Sequence, residues 1–386
     1  MVKKITKTAI SVLFFSVVLL MSCEENTPLT SAELHAEEDN HEAEDDPDEE
    51  KNEPIEWCVQ KTCWDQSILT CRDSVMIANF TRNEGWTGGD ATYSIPLADH
   101  RVLWLFGDSF IDQVKEDRSR TSFNLINNCL MVQNGDDFST VHGGTDNVPK
   151  AFATPADGSS WYWPGHGRAD EDTLYVFMHA FGTGGGGMWD FFRTGVDLLK
   201  VDPYTFETFS STRLIDGDGI SYGAHIMEVE DSVYIYGVLA EGANKHLFIA
   251  RSDLRFSQPW VYYSNNEWTD KSENATSIFT GVSEQFSVFH HNDKFYLLTQ
   301  HPILGKQIYL YSGESPQGPW TNRKTIYCTP ETGGNIFTYN AYAHTMFMDE
   351  GRLLVSYNIN SFDIQDLILS ADNYRPYFIT IENWED

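Results

Sequence analysis

The sequence predicts an all-β chain folded as a five-bladed β-propeller, and three observations carry that expectation. Beyond residue 73, short runs rich in Val, Ile, Tyr, Phe and Trp alternate with Gly, Asn and Asp clusters, while long amphipathic helical patterns are scarce. Five segments share a turn followed by an apolar strand; they begin at Arg101, Asp172, Asp231, Asp293 and Gly351. Their anchors Leu103, Leu174, Val233, Phe295 and Leu353 are spaced by 71, 59, 62 and 58 residues, a period that suits a four-stranded blade with one long loop. A β-sandwich also alternates strands but has no reason to repeat this signature five times.

Taken in order, Lys3, Lys4 and Lys7 precede an apolar run over 9–21. The run is too short to span a bilayer, so residues 1–22 are read as a secretory signal. Leu20-Met21-Ser22-Cys23 closes it and resembles the lipobox of bacterial lipoproteins, which implies that Cys23 is acylated and anchors the chain. Residues 24–56 carry 15 acidic side chains and one Lys, a net of 1 − 15 = −14. Residues 23–56 are therefore expected to be a disordered, self-repelling tether. Acid residues directly after the lipidated Cys resemble the surface-export signals of Bacteroidota lipoproteins, implying an outer-membrane protein, held to the membrane by its lipid alone and exposed at the surface.

The remaining 386 − 56 = 330 residues, 57–386, form the propeller. Cys58, Cys63, Cys71, Cys129 and Cys328 lie in a compartment where thiols oxidise. The Cys58-x4-Cys63-x7-Cys71 spacing lacks the paired two-residue gaps of a zinc ribbon, so one local disulfide at the domain entrance is expected. Inner strands are expected over 92–97, 165–169, 224–229, 286–290 and 342–348, each preceding one of the five repeated segments. Outer turns fall at 256–260 and 315–320; the second, Ser315-Pro316-Gln317-Gly318-Pro319-Trp320, resembles turns of five-bladed glycosidase propellers in which the Trp packs between blades.

In a propeller, first-strand starts and second-strand ends share one face of the funnel. The first-strand starts place Asp90, Trp161, Tyr162, Trp163, Tyr222, Glu284, Gln285, Asn340 and Tyr342 there. Five positions after each anchor come Asp108, His179, Val238, Gln300 and Asn358. Polar groups at the ends of apolar strands cost stability unless they bind something. Asp90 and Asp108 share a blade and Glu284 lies across the funnel, a pattern that suits glycoside hydrolysis, in which one carboxyl is protonated and another ionised. Trp86, Trp161, Trp163 and Tyr222 are expected to stack on sugar faces. His179, Gln285, Gln300, Asn340, Tyr342 and Asn358 are candidates to meet hydroxyls. His166, His225 and His344 fall at one level of three inner strands, where they would hold a central metal or, as neutral rings, bond to neighbouring strands. No cofactor is otherwise required.

With 26 basic against 57 acidic residues, a net charge of −31, the chain repels phosphate and is not a nucleic-acid binder. Gly184-Gly185-Gly186-Gly187 lacks the Lys-Ser or Lys-Thr of a phosphate loop. Gly-x-Ser-x-Gly and His-Glu-x-x-His are both missing.

Gly85-Trp86-Thr87-Gly88-Gly89-Asp90-Ala91-Thr92-Tyr93, followed by Leu103-Trp104-Leu105-Phe106-Gly107-Asp108-Ser109-Phe110, resembles the opening blade of lipoproteins grouped as domains of unknown function 4185 and 5005. Some relatives belong to glycoside hydrolase family 183, endo-D-arabinofuranases, and the wider fold resembles families 43 and 117. The resemblance implies that Asp90 and Asp108 are the paired acidic positions. It also implies a Glu where Gln285 stands, with Glu284 one residue early and its side chain reversed. The leading expectation is a monomeric, envelope-anchored glycoside hydrolase acting on a polysaccharide, furanose-containing and arabinan-like, through Asp90, Asp108 and Glu284. The alternative is a non-catalytic surface propeller that binds glycan or protein. A lyase or esterase with His179 as base lacks a recognisable partner.

Overall fold

The structure, a computed structural model, describes residues 57, 58, 63, 65–156, 160–185, 190–214 and 219–385. The predicted signal, Cys23 and the tether lie outside these residues. Five antiparallel sheets follow one another along the chain. Blade one runs Glu84–Pro96, Val102–Gln113, Cys129–Asn134 and Asp137–Val141 from the axis outward. Blade two has its inner pair at Trp161–Ala169 and Leu174–Thr183, blade three at Ser221–Val229 and Ser232–Glu241, and blade four at Phe286–His291 and Lys294–Gln300. Blade five runs Ile336–Ala343, Leu353–Ser361 and Pro376–Glu382. Each inner strand packs against those of the blades before and after it, so the five form a closed ring.

The outer strand of blade five comes from the other end of the propeller. Leu69–Arg72 pairs antiparallel with Pro376–Glu382, Thr70 opposite Ile381 and Cys71 opposite Thr380, and Trp57–Cys58 adds outside it. This closure locks the first blade's entrance to the last blade. A disulfide joins Cys63 to Cys328 at the end of blade four's outer strand Thr321–Cys328. Cys63 is therefore not part of a local disulfide: the closing strand brings it beside a cysteine 265 residues away. Cys71 is also disulfide-bonded, with Cys58 opposite it in register, and Cys129 is a free, buried thiol.

The continuous apolar runs are explained by burial on both faces of each strand. In Val102–Gln113, Leu103 and Leu105 face the layer shared with Leu174 and Val176 of blade two, whereas Trp104 and Phe106 face the layer shared with Leu354 and Phe378 of blade five. Trp260 is buried between blades two and three and Trp320 between blades three and four, as their outer turns predict. The inner strand of blade five ends earlier than expected, at Ala343, and Thr345–Phe347 forms a 3₁₀ turn. The apolar residues there imitate a strand because Phe347 stacks on Trp104, ring centroids 5.7 Å apart.

Because the Cys63–Cys328 bridge ties the closing segment across a long loop, Cys63→Ser is expected to lower unfolding free energy by about 3 kcal/mol. Urea unfolding followed by Trp fluorescence under non-reducing conditions measures this, and an unchanged midpoint would show that the bridge does not contribute to ring closure.

Candidate active site at the funnel mouth

Asp90 sits where the inner strand of blade one leaves regular pairing. Register breaks lie between Gly89 and Ala91 and between Ala91 and Tyr93. Ala91 (φ 70°) and Thr92 (φ 64°) are both left-handed, a strained choice for residues with a Cβ. Three side-chain bonds hold them there. Gln285 Nε2 donates to the Ala91 carbonyl at 2.5 Å, and Asn358 Nδ2 donates to Thr92 Oγ1 at 2.9 Å and to the Gly89 carbonyl at 3.2 Å. Both amides are buried. They are buttresses of the Asp90 bulge, which corrects their expected role as sugar ligands.

The carboxylate of Asp90 lies over Gly107, where any Cβ would run into Asp90 Oδ1. Asp90 Oδ2 accepts from the Tyr339 hydroxyl at 2.7 Å and the Tyr374 hydroxyl at 3.1 Å. Burial first, and then the charge of Asp108, raise the Asp90 carboxyl to about 7. Asp108 Oδ1 accepts from Trp163 Nε1 at 2.7 Å and Asn127 Nδ2 at 3.1 Å. Burial raises Asp108 to about 6 against those two bonds. The two groups titrate as a pair, and between about pH 6 and 7 they share about one proton. Both bonds to Asp108 fall on Oδ1; among the described residues its Oδ2 accepts no hydrogen bond, and the residue is only partly buried.

Tyr374 reaches Asp90 from the 362–375 insertion of blade five, which contains the helix Ile364–Leu369. That insertion is clamped to blade one. Arg120 Nε donates to the Leu367 carbonyl at 3.0 Å while its Nη1 meets Asp112 at 3.0 Å, with both charged side chains shut off from solvent. Arg118 pairs with Asp372 at 3.0 Å. Gly88 allows the approach, since a Cβ there would collide with the Tyr374 carbonyl.

Trp161 and Trp163 are half-buried at the mouth and build an aromatic platform with Phe181 and Phe191. Trp163 lies 4.6 Å from Phe181 and 5.0 Å from Phe191 between ring centroids. The other two expected stacking residues lie elsewhere. Trp86 is fully buried against Phe106 at 4.5 Å, and Tyr222 is buried beside Tyr262 between blades two and three. Gln300 is buried too and donates to Thr338 Oγ1 at 2.9 Å. Asn340 stays half-buried at the mouth with a left-handed φ of 59°.

Glu284 lies just before the inner strand of blade four, its side chain 56 % exposed and 3.3 Å from Lys245 Nζ. It still reaches the funnel floor electrostatically. Burial, then the charges of Glu284 and Asp90, raise the Tyr93 phenol. His179 is pushed down to about 4, chiefly by burial, so its neutral ring donates from Nε2 to the Tyr222 carbonyl at 3.0 Å.

His166, His225 and His344 do reach the axis. The first two stack at 4.8 Å and share the Tyr342 hydroxyl, at 3.0 Å from His166 Nε2 and 3.1 Å from His225 Nδ1. Tyr342 is thus an axial residue and not a mouth ligand. His225 Nε2 also meets the Val288 carbonyl at 2.8 Å, and both nitrogens of His344 are taken, by Ser94 Oγ at 2.8 Å and Ser356 Oγ at 2.9 Å. Burial pushes His166 down to about 4 and His344 to about 3. Rings so engaged do not fit a metal, and among the described residues no three His, Cys, Asp or Glu side chains are arranged to hold one.

Sequence reasoning missed Tyr339, Tyr374, Asn127, Phe181 and Phe191. Tyr339 directly precedes Asn340 and was within reach of the repeat alignment. Tyr374 and Asn127 lie in insertions that no repeat predicts.

Fold and site together define a five-bladed β-propeller whose funnel floor carries a coupled carboxylate pair beside an aromatic platform. The chain belongs to the family described as a domain of unknown function, DUF5005, whose model matches residues 73–384. It is similar to a "putative hydrolase" from Bacteroides ovatus, with 22% identity over 87% of this chain and 98% of that one and a TM-score of 0.73, a likeness of fold. Remoter similarities, too slight to argue from, are to an α-L-arabinofuranosidase from Podospora anserina in complex with cellotriose (10% identity, 78% and 92% coverage, TM-score 0.44) and a xylan β-1,4-xylosidase from Bacillus halodurans (10% identity, 82% and 55% coverage, TM-score 0.44). No curated protein matches the chain.

The raised carboxyls make a prediction about stability. Below about pH 4 the folded and unfolded chains both hold these protons. Between pH 4 and 7 the unfolded chain releases protons that the folded one retains, so the site progressively destabilises the fold, fully so above pH 7. Asp90→Asn is therefore expected to stabilise the protein at pH 8 by on the order of 2 kcal/mol and to change little near pH 4. Thermal unfolding at the two pH values checks this; equal effects at both would mean that Asp90 is not perturbed.

Proposed function

We propose that this chain is a glycoside hydrolase of the bacterial envelope acting on a polysaccharide, with furanose-containing, arabinan-like polymers the first substrates to test. The observation that carries the reading is the Asp90–Asp108 pair, raised to about 7 and about 6 and so holding one proton near neutrality. Asp108, the more acidic member, is the base or nucleophile: its Oδ2 takes a proton from water or attacks the anomeric carbon. Asp90 is the acid and passes its proton to the leaving glycosidic oxygen. Two tyrosine hydroxyls occupy Asp90 Oδ2, which directs that proton to Oδ1. Glu284, exposed and paired with Lys245, is the weaker candidate for the acid. The aromatic platform beside Asp108 supplies the stacking surface for a sugar ring.

Acylation of Cys23, tethering by residues 23–56 and monomeric outer-membrane placement belong to the same proposal and rest on the N-terminal sequence. The second reading, a glycan-binding propeller without hydrolysis, is favoured by one observation: Gln285 stands where the family resemblance implies a Glu, and it is occupied with the Ala91 carbonyl.

Plant, fungal and mycobacterial polysaccharides incubated with the full chain, with reducing ends detected, test the proposal. Cleavage is expected, with Asp90→Asn and Asp108→Asn each lowering the rate roughly 10²–10⁴-fold while the fold stays intact. Full activity in both variants would falsify the assignment, and silence of the wild type across the panel would favour the binding module. The rate should peak between apparent pKa values of about 6 and 7. Trp163→Phe removes an N–H that stabilises ionised Asp108, so the lower limb of that profile should move to higher pH.

A further inference from the structure

We propose that the blade-five rim forms a second sugar-stacking platform, so that one neutral glycan chain lies across blade one with the carboxylate pair beneath its middle. The proposal rests on the reading of Asp90 and Asp108 as the reacting pair and extends it. Two rows of rings lead away from that pair. From Asp108 the row passes through Trp163 to the platform of blade two. From Asp90 it passes through Tyr339 to Phe337 at 5.4 Å and on to Phe362 at 4.5 Å, both distances between ring centroids, on blade five. The inner strands of blades two and five flank that of blade one, so the rows depart on opposite sides of the pair.

The second row ends in water. Phe337 is buried, whereas Phe362 is 57 % exposed. A flat ring left in solvent at the end of a row that starts at a reacting carboxyl is the surface on which a sugar C–H face stacks. The polar groups along the row are engaged within the protein, the Phe362 N–H donating to the Asn335 carbonyl at 3.0 Å and Asn360 Nδ2 to the Tyr339 hydroxyl at 3.1 Å, so they fix the rings in place and the exposed ring itself makes the contact. A narrow row of rings continuous with the reacting pair fits a single glycan chain better than the broad apolar face of a protein. Charge selects a neutral one, because a chain of net −31 with two carboxyls on the funnel floor repels uronic acids.

The full chain carrying Asp108→Asn, which should bind without cleaving, is applied to an array of arabinans, xylans, fructans, β-glucans and polygalacturonate. A hexasaccharide and a disaccharide of the retained glycan are then titrated by calorimetry. The proposal expects retention of a neutral glycan. Adding Phe362→Ala should weaken the hexasaccharide roughly tenfold without moving the disaccharide, and Phe362→Trp should restore it. Retention of no neutral glycan, preference for polygalacturonate, or an unchanged hexasaccharide affinity in Phe362→Ala would overturn it. If the retained glycan behaves as expected but the wild type does not cleave it, the hydrolase reading falls and the platform stands. If the wild type cleaves it and Phe362→Ala binds undiminished, the platform alone falls.

Discussion

Two carboxyls on one blade are withdrawn from water, and much of the surrounding structure answers the cost of burying them. Asp90 takes its place only because residue 107 has no Cβ, and only while Ala91 and Thr92 stay in a left-handed conformation that side chains disfavour. Gln285 from blade four, reaching across the funnel, and Asn358 from the adjacent blade five hold that conformation. The carboxyls themselves receive four side-chain donors, Tyr339 and Tyr374 on one, Trp163 and Asn127 on the other. These bonds favour the ionised forms, yet burial outweighs them and keeps both groups above the ordinary carboxylate range. Strain of this kind persists only where the rest of the fold over-determines it, which is why it reads as a working site.

Ring closure is what supplies the over-determination. The donors and buttresses come from blades one, two, four and five, so they converge only when the last blade is sealed against the first. Leu69–Arg72 and the Cys63–Cys328 bridge seal its outside, and the Arg118 and Arg120 clamps seal the mouth. Sequence-distant residues thus meet at Asp90: Tyr374 lies 284 positions away along the chain. The axial layer beneath, in which Tyr342 joins His166 to His225, fills the narrowing tunnel with neutral, mutually bonded rings.

The blades were legible because their strands are buried on both faces, and a five-fold run of turn and apolar strand survives in the sequence. Asp90 and Asp108 were legible because they break that apolar pattern at equivalent places. The repeat could not tell a polar residue that faces the funnel from one that props the backbone beneath it. Gln285, Gln300 and Asn358 share the same strand ends as Asp108, but a strand position says nothing about whether an amide is satisfied by a sugar or by a bulged main chain. Trp86 shows the converse: an aromatic beside a glycine pair marks close packing as readily as an open mouth. Tyr374 and Asn127 were out of reach, since insertions carry no period and their contacts depend on tertiary clamping.

The central claim, that Asp90 and Asp108 form one coupled pair holding a proton near neutrality, is tested most directly by carbon-13 NMR titration of the protein with labelled aspartate carboxyls. The account predicts two carboxyl resonances that titrate near pH 6 and 7, with the one assigned to Asp90 moving to lower pH in Asp108→Asn because the neighbouring charge is gone. Titration of both residues in the ordinary aspartate range below about pH 4.5, unaffected by each other's replacement, would contradict it.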